Sequence, residues 1–254
     1  MSADEKRIAV LIDADNISYR YAKTILDEAS TFGIVNVRRI YGDWTDNSLK
    51  SWDDVILPHS IRQIQQPGYT TGKNSTDSAM IIDAMDLYYS GNVDGFCLVS
   101  SDSDFTGLAM RLRESGMYVV GMGTKVTPEP MIAACNSFKF LDLIYSDAAK
   151  ESKSTKKKDK KTSEKKEPIP DAKEELIALI KEIVNSKSDE DGWLMLSELQ
   201  PSIIKRKPEF DVRNYNFGKM TPLIEWLGVF EIRRDEISSG SQNQKTYIVY
   251  IRNL

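Results

Sequence analysis

The sequence predicts an α/β protein in which a doubly wound, mainly parallel sheet is followed by a second, small α+β unit. Three observations predict it. Apolar runs without alternation, such as Ile8-Ala9-Val10-Leu11-Ile12 and Gly95-Phe96-Cys97-Leu98-Val99, read as strands buried on both faces. Helical periodicities alternate with such runs through the first 145 residues, and repeated βα units imply right-handed crossovers onto one sheet. In the last 85 residues the order becomes helices followed by a two-stranded ribbon.

Strands are predicted over 7–12, 35–41, 61–66, 95–100, 118–122 and 138–143, where β-branched, aromatic or other apolar residues concentrate. Helical spacing is clearest over 78–89, Ser78-Ala79-Met80-Ile81-Ile82-Asp83-Ala84-Met85-Asp86-Leu87-Tyr88-Tyr89, and over 105–114. Gly33, Gly91 and Gly116 follow helical runs, where C-terminal caps belong.

Composition then changes. Residues 150–170 carry net charge +5 with nine lysines, and 150–167 holds no apolar anchor, so the segment reads as a flexible linker whose lysines could also hold RNA. Residues 1–149 carry −7 and residues 171–254 carry −2. The domains are therefore expected at 1–149 and 171–254. The acidic first domain is no polyanion-binding surface by bulk charge, and any nucleic acid it handles needs metal ions or basic help from elsewhere.

In the second domain, 174–184 is an amphipathic helix with Leu176, Ile177, Ile180, Ile183 and Val184 on one side. A short strand over 192–196 leads into a helix over 197–207, and a third helix over 215–227 carries Phe217, Met220, Leu223, Ile224 and Trp226. Strands over 229–234 and 245–252 flank a Gly/Ser/Asn/Gln turn. Helices followed by such a ribbon describe a small winged-helix domain. Trp193, Phe210 and Trp226 read as its core.

Two predicted strands run straight into carboxylates: Asp13-Ala14-Asp15-Asn16 after the first, and Ser100-Ser101-Asp102-Ser103-Asp104 after 95–99. Ligands of open parallel sheets sit outside the carboxyl ends of the strands, near the point where strand order reverses. Clustered carboxylates repel one another unless protonated or bridged by a cation, and a hard divalent ion such as Mg²⁺ or Mn²⁺ is the natural partner. Asp15, Asn16, Asp77 and Asp104 also stand where helix N-caps are expected. Convergence of Asp13, Asp77, Asp102 and Asp104 on one place favours a metal site, and Asp83 reads as a supporting or surface residue.

These motifs resemble a NYN domain. The similarity rests on Leu11-Ile12-Asp13-Ala14-Asp15-Asn16, Thr71-Gly72-Lys73-Asn74-Ser75-Thr76-Asp77 and Ile82-Asp83-Ala84-Met85-Asp86-Leu87. Val99-Ser100-Ser101-Asp102-Ser103-Asp104-Phe105 and Ala134-Cys135-Asn136-Ser137-Phe138 extend it through the LabA-like branch, over roughly residues 6–145. The resemblance implies the PIN-like nuclease fold and metal-dependent RNA cleavage. It makes Asp13, Asp77, Asp102 and Asp104 metal-binding carboxylates, Asn16 a polar helper and Lys73 an RNA contact. Residues 171–251 resemble a LOTUS (OST-HTH) winged helix through Gly192-Trp193-Leu194-Met195-Leu196-Ser197-Glu198-Leu199 and the stretch from Lys205 to Phe217. Tyr215-Asn216 stands where that family commonly has Tyr-Gly. This second resemblance implies RNA binding, including G-rich RNA, and sometimes protein partners, with Lys205, Arg206, Lys207 and Arg213 as phosphate contacts.

Several classes are set aside. No stretch is long and apolar enough to cross a bilayer, and the start of the chain lacks the apolar segment of a signal peptide. Cys97 and Cys135 read as free buried thiols, which suggests the cytoplasm. His59 is the only histidine, which excludes a histidine pair and argues against zinc. Asp13-Ala14-Asp15 imitates the nucleophile pair of haloacid-dehalogenase phosphatases, but Asn16-Ile17-Ser18 runs toward a helix rather than a flap. The alternative from a different class is a catalytically silent RNA-binding adaptor.

Overall fold

The computed structural model describes residues 5–66, 75–154, 170–237 and 246–254. It divides into two units, Met1–Lys156 and Lys157–Leu254. The first unit alternates strand and helix: β1 (Arg7–Asp13), α1 (Ala22–Ala29), β2 (Ile34–Gly42), α2 (Asp53–Ile56), β3 (Arg62–Gln65) and α3 (Ser75–Tyr89). It continues with β4 (Gly95–Val99), α4 (Thr106–Glu114), β5 (Tyr118–Gly123), α5 (Glu129–Ala134), β6 (Ser137–Phe140) and α6 (Leu141–Ser154).

All neighbouring strands pair in parallel, in the order β3-β2-β1-β4-β5-β6. The chain works outward from β1 to β3, then returns to lay β4 on the other side of β1. Strand order therefore reverses between β1 and β4, and a crevice belongs at their carboxyl ends. Ile12 stands opposite Val99 across that junction and Asp13 opposite Tyr41 of β2.

The unbroken apolar runs are explained by cover on both faces. Ile8, Val10, Ile12, Cys97 and Val99 pack under α1 and Leu141. Ala9, Leu11, Phe96 and Leu98 pack under Met80 and Ala84 of α3, Leu108 and Leu112 of α4, and Met131 of α5. Each such large side chain contributes about 1.5–3 kcal/mol on leaving water.

The strand expected over 138–143 is shorter than the sequence suggests. It ends at Phe140, and Leu141 begins a helix that turns this side chain, fully buried, into the α1-side core. A short apolar run cannot by itself separate a strand from a buried helical turn. Helix α6 then runs to Ser154, into the segment expected to be linker; residues 155–169 of that segment lie outside the described residues.

The second unit comprises α7 (Pro170–Lys187), β7 (Leu194–Met195), α8 (Leu196–Ile204), α9 (Met220–Leu227), β8 (Phe230–Ile237) and β9 (Thr246–Asn253). The strands are antiparallel in the order β7-β9-β8. Leu176, Ile180 and Ile183 of α7 pack with Leu199, Ile203, Phe210, Leu223, Ile224 and Ile251. The third helix starts later than the periodicity predicts. A 3₁₀ turn over Val212–Tyr215 stops at Asn216, whose φ of 63° is left-handed, and α9 begins at Met220. Glycine and asparagine are the residues that tolerate this conformation, so Asn216 serves where Tyr-Gly is usual.

One ion pair is deeply placed in the first unit. Lys139 of β6 lies 3.6 Å from Glu28 of α1, and both are buried. Removing one partner leaves the other charge buried without this counter-charge. Lys139→Met should destabilise the protein by about 3 kcal/mol, whereas Glu28→Met with Lys139→Met should lose much less. Urea unfolding of the two variants checks this, and equal losses would show that the pair is not coupled.

Candidate metal centre

Asp13 ends β1 with no exposed surface. Its Oδ2 accepts the Ser100 hydroxyl at 2.7 Å and the Asn16 amide nitrogen at 2.7 Å, and its Oδ1 accepts the Asp15 backbone N–H at 3.1 Å. Burial pushes its carboxyl above the ordinary range, and the Ser100 and Asn16 hydrogen bonds oppose this. Neither Asp15 nor Asn16 caps a helix. The following 3₁₀ turn is preceded by Ser18, which forms no side-chain cap. Asn16 is instead a donor to Asp13.

Ser100 carries the link from β1 to the next loop. While donating to Asp13, its hydroxyl accepts the backbone N–H of Asp102 at 3.0 Å. Asp102 in turn accepts the backbone N–H of Asp104 at 2.9 Å and is the N-cap of the 3₁₀ turn Ser103–Phe105. The capping role expected of Asp104 thus belongs to Asp102, and Asp104 is exposed. Sequence reasoning passed over Ser100; its signal was its position between a buried strand and a carboxylate pair.

Asp77 arrives from the first turn of α3. Six residues further along, Asp83 binds Arg39 and the Tyr41 hydroxyl, both on β2. The supporting role expected of Asp83 is therefore to anchor α3 to the sheet. Tyr41 stands opposite Asp13 in the ladder, so this anchor and the end of β1 share a register.

One carboxylate oxygen each from Asp77, Asp102 and Asp104 lie within 4.8 Å of one another. Asp13 is not one of these three; its oxygens accept from Ser100, Asn16 and Asp15, and its charge is the first of those that repel Asp77. Burial, followed by repulsion from Asp13, Asp102 and Asp104, pushes the Asp77 carboxyl up to about 6. A set of hard, mutually repelling oxygen donors fits Mg²⁺ or Mn²⁺.

The basic residues expected to meet RNA are placed unevenly. Lys73 lies outside the described residues. Lys205 is exposed at the end of α8. Arg206 pairs with Glu182 at 2.8 Å, Lys207 with Glu175 at 3.5 Å, and Arg213 with Asp211 at 2.7 Å. The Arg206 and Lys207 pairs are part-exposed and worth little, whereas Arg213 grips the buried Asp211 with two nitrogens. Phe210 is core, as expected, and Trp226 packs on the core's margin beneath Lys173. Trp193 is buried differently, with the guanidinium groups of Arg233 and Arg252 each 4.6 Å from its ring centre.

A doubly wound sheet with carboxylates gathered at its switch point defines a nuclease-like α/β domain. Residues 7–143 match the NYN domain and residues 167–241 the OST-HTH/LOTUS domain. The chain belongs to the NYN-domain family, with an OST-HTH/LOTUS domain, a module that supports RNA binding, following it. It is 30% identical over 125 residues to the uncharacterized protein MJ0482 of Methanocaldococcus jannaschii, a match that covers 48% of this chain and 49% of that protein. The chain thus spans about half the length of this curated relative. A protein of unknown function from Vibrio parahaemolyticus, VPA0982, is similar in structure at 20% identity and a TM-score of 0.45, over 54% of this chain and 94% of its own.

Two outcomes follow for the metal-free protein. Asp13→Asn turns an amide N–H₂ toward donors and should cost about 1–3 kcal/mol, whereas Asp102→Asn keeps an acceptor for Asp104 and should stay within about 0.5 kcal/mol. Chemical denaturation in EDTA separates them, and equal stability would remove Asp13 from the buttressing role. Asp77 binds its proton more tightly folded than unfolded, at about 6 against 3.8. Metal-free stability should therefore rise as pH falls from 7.5 to 5, by about 1 kcal/mol after solvent screening, and Asp77→Asn should remove that rise. Melts of both proteins at the two pH values in EDTA test the sign.

Proposed function

We propose that this protein is a metal-dependent endoribonuclease that hydrolyses RNA phosphodiesters at Asp77, Asp102 and Asp104, with the OST-HTH/LOTUS domain and linker lysines capturing the RNA. The observation that carries the reading is the approach of three carboxylates from α3 and the β4 loop within 4.8 Å, at the switch point of a NYN-type sheet. A bound Mg²⁺ or Mn²⁺ supplies a lowered pKa for water and neutralises charge on the phosphate. The chain's own residues do the positioning. Half-buried Asp77 and Asp102 would hold the ion, and exposed Asp104 would complete the site or orient water. Asp13, through Ser100, keeps the Asp102 loop in place.

RNA as the substrate class is supported by the second domain, whose ion-paired Arg206, Lys207 and Arg213 can trade carboxylates for phosphates. The reading extends to G-rich RNA and protein partners through that domain. It also extends to a cytoplasmic setting, supported by the free thiols of Cys97 and Cys135, the latter pushed up to about 12 by burial. No helix among the described residues is long and apolar enough to cross a membrane.

The test incubates the full chain with mixed single-stranded and structured RNAs in Mg²⁺, Mn²⁺ or EDTA. Cleavage should need the ion and fall to background in Asp102→Asn, with binding of RNA in Ca²⁺ preserved. RNA binding without ion-dependent cleavage in the parent would favour the silent adaptor.

A further inference from the structure

We infer that the turn Thr124–Thr127, at the end of β5, is a preformed contact for the RNA strand beside the carboxylate group, with Lys125 taking a phosphate and Val126 packing on a sugar or base. This rests on the proposed function of the same site. The Thr127 N–H closes the turn on the Thr124 carbonyl at 3.0 Å, so Lys125 and Val126 are its two corner residues. The Thr127 hydroxyl donates to the same carbonyl at 2.7 Å.

The turn is also tied to the site. The Thr124 N–H donates to Ser101 Oγ at 3.0 Å, and the two hydroxyls lie 3.1 Å apart. Ser101 is the residue between Ser100 and Asp102. Gly123 lets the turn close over it: a Cβ there would stand 2.5 Å from the Thr127 hydroxyl and 2.9 Å from the Ser100 carbonyl. Thr127 is consequently buried at 6% exposure.

What this rigid frame presents is out of keeping with a purely structural turn. Turn corners favour Gly, Pro, Asn and Asp, each for a backbone reason that valine lacks. Val126 is nonetheless 82% exposed, and Lys125, also exposed, forms no ion pair or hydrogen bond among the described residues. Local choices that break the rules of folding without a folding gain point to function. A polyanion approaching this acidic crevice needs a cation at its rim, and a splayed strand offers apolar sugar and base surfaces. Lysine beside valine on a locked turn offers both.

The full chain in Ca²⁺ is titrated with a short single-stranded RNA at several salt concentrations. Lys125→Gln should weaken binding about fivefold and flatten the salt slope by about 0.7, Lys125→Arg should restore both, and Val126→Ser should weaken binding about threefold with no change of slope. Lys23→Gln on α1 is the control and should match the parent. RNA should also protect Lys125, and not Lys23, from acylation by an N-hydroxysuccinimide ester, read by mass spectrometry. Tb³⁺ luminescence of the same preparations reports the carboxylate group separately. Unchanged affinity, slope and acylation with normal Tb³⁺ binding would overturn the turn's role and leave the carboxylate reading standing. A parent chain that fails to bind Tb³⁺ would overturn both.

Discussion

Asp13 is fully buried and hydrogen-bonded to three donors from two different parts of the chain. A carboxylate at that depth is costly unless its oxygens are satisfied, so the donors cannot be given up cheaply. Satisfying them fixes the geometry around it. Asn16 and the Asp15 amide curl the β1 loop back on itself, and Ser100 ties the end of β4 to the end of β1. Through the second hydrogen bond of Ser100, the same carboxylate sets where Asp102 begins its turn. The outward-facing acidic group therefore stands on an inward-facing one.

That division assigns different work to carboxylates that look equivalent in the sequence. Asp13 is occupied by hydrogen bonds, while the group formed by Asp77, Asp102 and Asp104 is left in mutual repulsion. The repulsion is bearable because the three reach the group from separately anchored elements. Asp83 holds α3 to Arg39 and Tyr41, and the Ser103–Phe105 turn holds the other two. A site preorganised in this way would bind a cation without first rearranging, which is where affinity for a small, strongly hydrated ion is most easily lost.

Much of this was legible in the sequence, for identifiable reasons. Unbroken apolar runs can belong only to strands or helices covered on all sides, and their alternation with helical periods left the doubly wound sheet as the economical answer. The carboxylates at strand ends were visible because acidic residues seldom follow such runs without a partner. What stayed hidden depended on contacts between distant residues. Nothing local marks Ser100 as the bridge, since a serine after a strand is ordinary turn chemistry. Nothing local separates Asp13 from Asp102 either, because their difference is which donors reach them in space. The helix at Leu141 was hidden for a related reason: its apolar residues continue those of β6, and only the α1-side core decides that Leu141 turns inward.

The second unit shows the same limit from the side of charge. Lys205, Arg206, Lys207 and Arg213 form a basic run in the sequence, yet three of them are folded against Glu182, Glu175 and Asp211. Such pairing does not oppose RNA binding; it changes its character. A free lysine gains a phosphate outright, whereas a paired arginine exchanges one anion for another, so the net gain is smaller and depends on the geometry of the incoming group. Arginine's planar fork rewards a phosphate that presents two oxygens, and a carboxylate already held by it is a stringent competitor. On the proposed RNA-binding reading, a surface built of such pairs would discriminate by the placing of phosphates more than by bulk charge. On the same reading, residues 1–149 and 171–254 both carry net negative charge and would draw little from bulk attraction to a polyanion.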